Sequence, residues 1–351
     1  MFKMDVRPCL LAIAFALLIL LPASLAAQKP NSPPPAPPEG DVAAGTVDDP
    51  AATFKSNVEV VQLFFNVKDK HGALIPSLTK ENFEIYEDGK PQTIKYFKAE
   101  TDLPLTLGIL IDASGSQKHV LPIEQEVGGS FLETTLRPRD MASVFSFDVD
   151  VNLLQDFTGS VSRLRKALNS VQINSGTGAC SNLPGLGGGP IPCPSTGPRG
   201  TVLYDAVYVA SHDAFAQEVG RKAMILLTDG EDFGSRLKIR DAIEAAHKAD
   251  TICYVLLIAD RGLSMGFGGG DMKKLTAETG GRVIEVGNKF EKLKDAFNQI
   301  SQELRTQYNI GYTPTNNTRD GSFRKVEIKP KGGEYKIQAR AGYYAMPRKE
   351  Q

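Results

Sequence analysis

Three small oxygen-bearing side chains follow one another at alternate positions in Leu105-Thr-Leu-Gly-Ile-Leu-Ile-Asp-Ala-Ser-Gly-Ser116: Asp112, Ser114 and Ser116. Closely spaced carboxylate and hydroxyl oxygens suit a hard divalent cation, which takes oxygen ligands and keeps some of its waters. Two further segments supply the same chemistry. Thr201 stands in Gly200-Thr-Val-Leu-Tyr-Asp205, at the start of a helical pattern, and Asp229 ends the run Met224-Ile-Leu-Leu-Thr-Asp229. Taken singly, Asp112 and Thr201 also read as helix N-caps, and the serines as turn residues.

The elements that must position these residues are legible as patterns. Residues 105–111 and 223–228 are apolar at nearly every position, as strands buried on both faces are. Further strands are expected at 142–147, 151–156, 251–258 and 283–286. Amphipathic helices are expected at 120–136, 161–171, 202–218, 237–249, 271–279 and 290–305. Alternation of this kind specifies an α/β fold with a doubly wound, mostly parallel open sheet and helices on both faces. Only three residues separate 142–147 from 151–156, too few for a crossover helix, so that pair must be antiparallel and at an edge. In such sheets ligands sit beyond the carboxyl ends of the strands at the switch point, where Asp112 and Asp229 would converge if their strands are neighbours.

The combination of Asp112-x-Ser-x-Ser116, Gly-Thr-x-Leu-Tyr-Asp205 and Leu-Leu-Thr-Asp-Gly230 resembles the metal-ion-dependent adhesion site (MIDAS) of von Willebrand factor type A (VWA) domains, in order and spacing. The resemblance covers the middle of the chain, residues 102–307. It implies metal ligation by Asp112, Ser114, Ser116, Thr201 and Asp229, with Mg²⁺ the expected ion and Mn²⁺ or Ca²⁺ able to substitute. It also implies a protein partner whose Asp or Glu fills an open position on the ion. Less specifically, Leu78-Thr-Lys-Glu-Asn-Phe-Glu-Ile-Tyr-Glu-Asp-Gly89 and Ala341-Gly-Tyr-Tyr344 resemble the exported bacterial VWFA-related acidobacterial domain family.

The flanks carry their own signals. Lys3 and Arg7 precede an apolar run at 10–21, then Pro22 and Ala23-Ser-Leu-Ala-Ala27, the layout of a secretory signal peptide over 1–26. The run is about 12 residues, short of the ~20 that a spanning helix needs, so cleavage is favoured over an uncleaved anchor and no stable membrane span is expected afterwards. Residues 27–53 are a Pro-rich linker. The 54–101 segment is strand-like, with an Asp88-Gly89 turn and a hairpin completed by 93–97. Residues 308–346 are strand-like too, and are expected to pack with 54–101 into a small all-β domain, leaving 347–351 as a tail. Secreted or periplasmic placement would expose cysteines to oxidising conditions. Cys180 and Cys193 flank a Gly/Pro-rich stretch in the long 174–200 loop and are a possible disulfide, while Cys253 reads as a buried strand residue.

Other chemistry is poorly supported. The 351 residues carry a formal net charge of -1, which gives no electrostatic footprint for nucleic acid. Asp148-Val-Asp150 fits a hairpin turn better than a paired-carboxylate acid site. The four histidines are scattered, the glycine-rich runs lack phosphate-motif spacing, and no Gly-x-Ser-x-Gly elbow is present. The expectation is an exported binding protein and not an enzyme. The alternatives are a structural envelope protein with a vestigial site and, behind it, a metal-dependent hydrolase.

Overall fold

The computed structural model describes residues 60–100, 103–174, 200–258 and 269–347. The signal-peptide and linker segments, Cys180 and Cys193 lie outside the described residues.

The centre is an α/β layer built on a six-stranded sheet. Its strands are β5 (Leu105–Asp112), β6 (Met141–Phe147), β7 (Val151–Thr158), β8 (Arg221–Thr228), β9 (Thr251–Leu257) and β10 (Val283–Glu285), in the order β10-β9-β8-β5-β6-β7. All neighbours are parallel except β6 and β7, so the hairpin puts its antiparallel strand at the edge. Alternation along the central strands feeds two separate cores. Leu107, Ile109, Ile111, Ala223, Ile225 and Leu227 face one, while Leu110, Met224 and Leu226 face the other. With helices on both faces, neither face of the sheet tolerates polarity, which is why β5 and β8 read as continuous apolar runs.

Helices α1 (Leu121–Thr135), α2 (Val161–Ser170), α3 (Leu203–Val209), α4 (Ile239–Lys248), α5 (Gly269–Thr279) and α6 (Phe290–Arg305) cover the sheet. The helix expected over 202–218 is regular only through α3. A π turn at Ala210–Ala214 and a 3-10 turn at Phe215–Gln217 follow. The buried stripe Leu203, Ala206, Val207, Ala210 would next place residue 214 inward. The wider turn advances the frame by one, and the larger Phe215 becomes the buried residue.

The two flanking segments interleave. A first antiparallel sheet runs β13 (Lys336–Ala339), β1 (Val61–Lys68), β11 (Gln307–Tyr312), β4 (Ile94–Glu100). A second runs β14 (Gly342–Tyr344), β12 (Phe323–Pro330), β2 (Phe83–Glu87), β3 (Lys90–Gln92). Both sheets contribute to one apolar core, in which the Phe83 and Tyr308 rings each touch Phe65 and Phe97. The hairpin is a correction to the sequence reading. Asp88 and Gly89 both have positive φ (48° and 78°), the geometry of a tight two-residue turn, and β2 pairs with Lys90–Gln92. Residues 94–100 instead cross to the other sheet and pair with β11, where Ile94 and Phe97 join the shared core.

Glu303, near the end of α6, joins the α/β layer to these sheets. Its side chain is 3% exposed and accepts from Lys68 Nζ of β1 at 2.9 Å, Arg282 Nε at 2.7 Å and Gln338 Nε2 of β13 at 3.1 Å. A buried carboxylate with two cationic partners is strongly destabilising to remove, because the partners are left uncompensated. Glu303→Ala is expected to lower unfolding free energy by about 3 kcal/mol, and Glu303→Gln by less, in urea titrations. Equal stability of Glu303→Ala and the parent would show that the junction contributes nothing.

Candidate metal centre

The chain passes from β5 out to β6 and β7, then returns to lay β8 on the other side of β5. The switch point therefore lies between β5 and β8, whose register pairs Ile111 with Leu227. Asp112 and Thr228 end the two strands side by side, and Thr228 Oγ1 donates to Asp112 Oδ2 at 2.8 Å. The other carboxylate oxygen, Oδ1, accepts the Ser114 N–H at 2.9 Å, which fixes the turn leaving β5. Ser114 and Ser116 then present hydroxyl oxygens 2.9 Å apart.

Thr201 reaches the same place through a backbone clasp. Its N–H donates to Phe233 O and its carbonyl accepts from Phe233 N–H, both at 2.9 Å. A side chain at Gly200 would meet Phe233 O at 2.7 Å, so this approach needs glycine there. The start of α3 is tied to the loop after β8 twice more. Asp232 Oδ1 accepts from Tyr204 N–H at 3.1 Å, and the Asp205 carboxylate accepts from Arg236 and Leu237 N–H at 3.1 and 3.0 Å. These contacts give Gly-Thr-x-Leu-Tyr-Asp205 a structural reason: Asp205 anchors the loop that carries Asp229.

Ser114, Ser116, Thr201 and Asp229 line one cavity of about 420 Å³ at the carboxyl ends of the strands. Asp112 is fully buried and is not part of that wall. Burial, then the nearby Asp229 carboxylate, push its carboxyl up to about 7, against the hydrogen bonds from Ser114 and Thr228 that favour the charged form. Glu124 on α1 is buried as well. Burial and the Asp112 and Asp229 charges raise it well above the usual carboxylate range, and neither of its oxygens has a hydrogen-bond partner among the described residues. Hydroxyls and a carboxylate in one wall, with a buried acid behind them, are a donor set suited to a hard cation. Among the described residues no group of three or more His, Cys, Asp or Glu is arranged to hold a metal.

Asp148, His119 and Cys253 have other surroundings or partners. Asp148 lines the cavity, but its Oδ1 accepts from Asp150 N–H at 3.0 Å and its carbonyl from Val202 N–H at 2.7 Å, a turn and a helix start. His119 is exposed and does not line the cavity. Cys253 is a buried free thiol pushed up to about 12 by burial. The sequence reading assigned no role to Thr228, Glu124 or Phe233. Glu124 had a signal, since it falls on the buried stripe Leu121, Glu124, Gly128, Phe131 of α1.

No protein-family profile matches the chain, and no curated protein sequence matches it. Solved structures that resemble it include proximal thread matrix protein 1 (PTMP1) from the mussel byssus, at 13% identity and TM-score 0.45 over 69% of this chain and 50% of that one. A second structure of PTMP1, described as having a zinc-occupied MIDAS motif, matches at 13% identity and TM-score 0.46 over 62% of this chain and 49% of that one. BatB from Bacteroides thetaiotaomicron matches at 18% identity and TM-score 0.41 over 57% of this chain and 99% of that one. The SpRpn10 VWA domain matches at 12% identity and TM-score 0.38 over 56% and 95%. The chain thus spans about half the length of PTMP1.

The raised Asp112 carboxyl sets a pH dependence. Its value in the folded, metal-free protein lies above the ordinary 3.8, so the metal-free protein loses stability as pH rises from about 4 through about 7. The charged form is the one that attracts a cation, so Mn²⁺ affinity is expected to rise over the same window and level off above pH 7. Asp112→Asn should lower affinity by about 10- to 100-fold and flatten the profile. Calorimetric titration at pH 5, 6, 7 and 8 checks both, and a pH-independent affinity in the parent protein would contradict the assignment.

Proposed function

We propose that the chain is an exported protein-interaction module of the VWA kind, which engages its partner through a divalent ion. One observation carries the reading: side chains from three separate segments, Ser114 and Ser116, Thr201, and Asp229, line a single cavity above the buried Asp112 at the switch point of the sheet. A divalent ion there would supply a Lewis-acidic point able to accept an external oxygen. The Ser114, Ser116 and Thr201 hydroxyls and the Asp229 carboxylate hold it, and Asp112 orients Ser114 through its N–H while contributing charge from behind.

The donor set favours a partner that brings its own anion. Three of the four ligating groups in the wall are neutral hydroxyls, so the ion keeps much of its charge and an Asp or Glu from a partner completes it. Oxygen donors of this type favour Mg²⁺, with Mn²⁺ or Ca²⁺ able to replace it. Binding is preferred over catalysis because the described lining residues carry neither histidine nor cysteine to serve as base or nucleophile. Export rests on the N-terminal layout of charge, apolar run and small residues. No helix among the described residues is long and apolar enough to cross a membrane.

Affinity capture from the native envelope tests the proposal. A partner retained in Mg²⁺ should be lost in EDTA and with Asp112→Ala, and regained when Mg²⁺ is restored. A partner retained equally in EDTA would contradict metal-dependent binding.

A further inference from the structure

The cavity has an apolar side as well as an oxygen side. Phe233, Val149 and Ile173 line it together with the serines, Thr201 and Asp229. Phe233 is 73% exposed. Its main chain is nevertheless fixed, clasped to Thr201 at both its N–H and its carbonyl. Single exposed apolar residues are ordinary on protein surfaces. This one differs in having apolar neighbours in the same wall and in sitting at the mouth of the candidate metal centre. An aromatic ring on a rigid backbone loses little freedom when a partner covers it, which is the property of an interface anchor.

Electrostatics alone would serve a carboxylate partner poorly. Of the charged residues in the described wall besides Asp229, Asp148 and Glu231 are acidic and Lys118 is basic. These side chains provide no net positive field to steer an acid towards the cavity. A carboxylate held by the ion alone would also share its affinity with every small organic acid. Contact with the ring supplies both the missing affinity and a basis for choice.

Resting on the metal-dependent reading above, we propose that Phe233, with Val149 and Ile173, selects partners whose ion-binding Asp or Glu is flanked by an apolar side chain. The complementary segment places its carboxylate on the ion and its apolar neighbour over the Phe233 ring.

The test uses the full chain loaded with Mn²⁺ and two probes, propionate and 3-phenylpropionate. Water-proton relaxation follows displacement of water from the ion, and Mn²⁺ affinity is measured first on each sample. The parent protein should bind 3-phenylpropionate about tenfold more tightly than propionate. Phe233→Ala should bring the ratio close to one while propionate affinity stays put, and Phe233→Leu should retain part of the preference. An unchanged ratio in Phe233→Ala, or no preference in the parent, would overturn the proposal while leaving metal binding intact. Parallel loss of Mn²⁺ affinity in Phe233→Ala would also overturn it, by showing that the ring acts through Thr201. Phe233-dependent dimerisation in sedimentation without either probe would reassign the ring to self-association. Failure of Mn²⁺ to bind the parent would instead remove the metal-dependent reading itself, before any carboxylate is added.

Discussion

The arrangement depends on one electrostatic constraint: Asp112 is a fully buried carboxylate beside a second carboxylate, at the seam where two parallel strands end. An isolated charge in such a place is costly, and its hydrogen bonds to Thr228 and Ser114 offset only part of that cost. Protonation relieves it at low pH, and a cation at the proposed site would relieve it at higher pH. The neighbouring features fit this constraint. Hydroxyls from Ser114, Ser116 and Thr201 face the cavity without adding charge, and Glu124 lies beneath without a partner of its own. The strand order carries the constraint, since laying β8 parallel to β5 on the side away from β6 places Asp112 next to Thr228 and brings Asp229 near.

The scaffold holds this geometry from two directions. The loop after β8 is sewn to the start of α3 through Thr201, Tyr204 and Asp205, which fixes Thr201 relative to the loop that carries Asp229. Behind β5, the buried stripe of α1 packs Leu121, Val127, Phe131 and Leu132 into the same core that receives Ile109 and Ile111. At the far end, α6 leads directly into β11, and Glu303 ties that helix to strands from both ends of the chain. The two antiparallel sheets are therefore coupled to the α/β layer through side chains as well as through chain connectivity.

Much of the α/β fold was legible because both faces of its central strands are covered. Residues 105–111 and 223–228 could not be apolar at successive positions in a strand with one wet face. The antiparallel edge was legible from the three residues between β6 and β7. The path of residues 94–100 was not, because alternation shows that a segment is a strand without showing which sheet it joins. The tight Asp88-Gly89 turn and the packing of Ile94 and Phe97 decide that. The π turn after α3 was hidden for a related reason, since a single residue inserted in a helical stripe leaves the average period almost unchanged. At the site, residue types and spacing picked out Ser114, Ser116, Thr201 and Asp229, which line one cavity. Burial is a tertiary property, so the raised Asp112 carboxyl and the orphaned Glu124 appear only once the strands and α1 are packed. Phe233 is a lone aromatic in a loop and has no periodicity to betray it.

Anomalous diffraction from crystals grown with Mn²⁺ would locate the ion. A Mn²⁺ peak is expected in the cavity bounded by Ser114, Ser116, Thr201 and Asp229, bonded to hydroxyl oxygens of that wall. Crystals that show no peak there at saturating Mn²⁺, or a peak bound only by other residues, would contradict metal binding at this site.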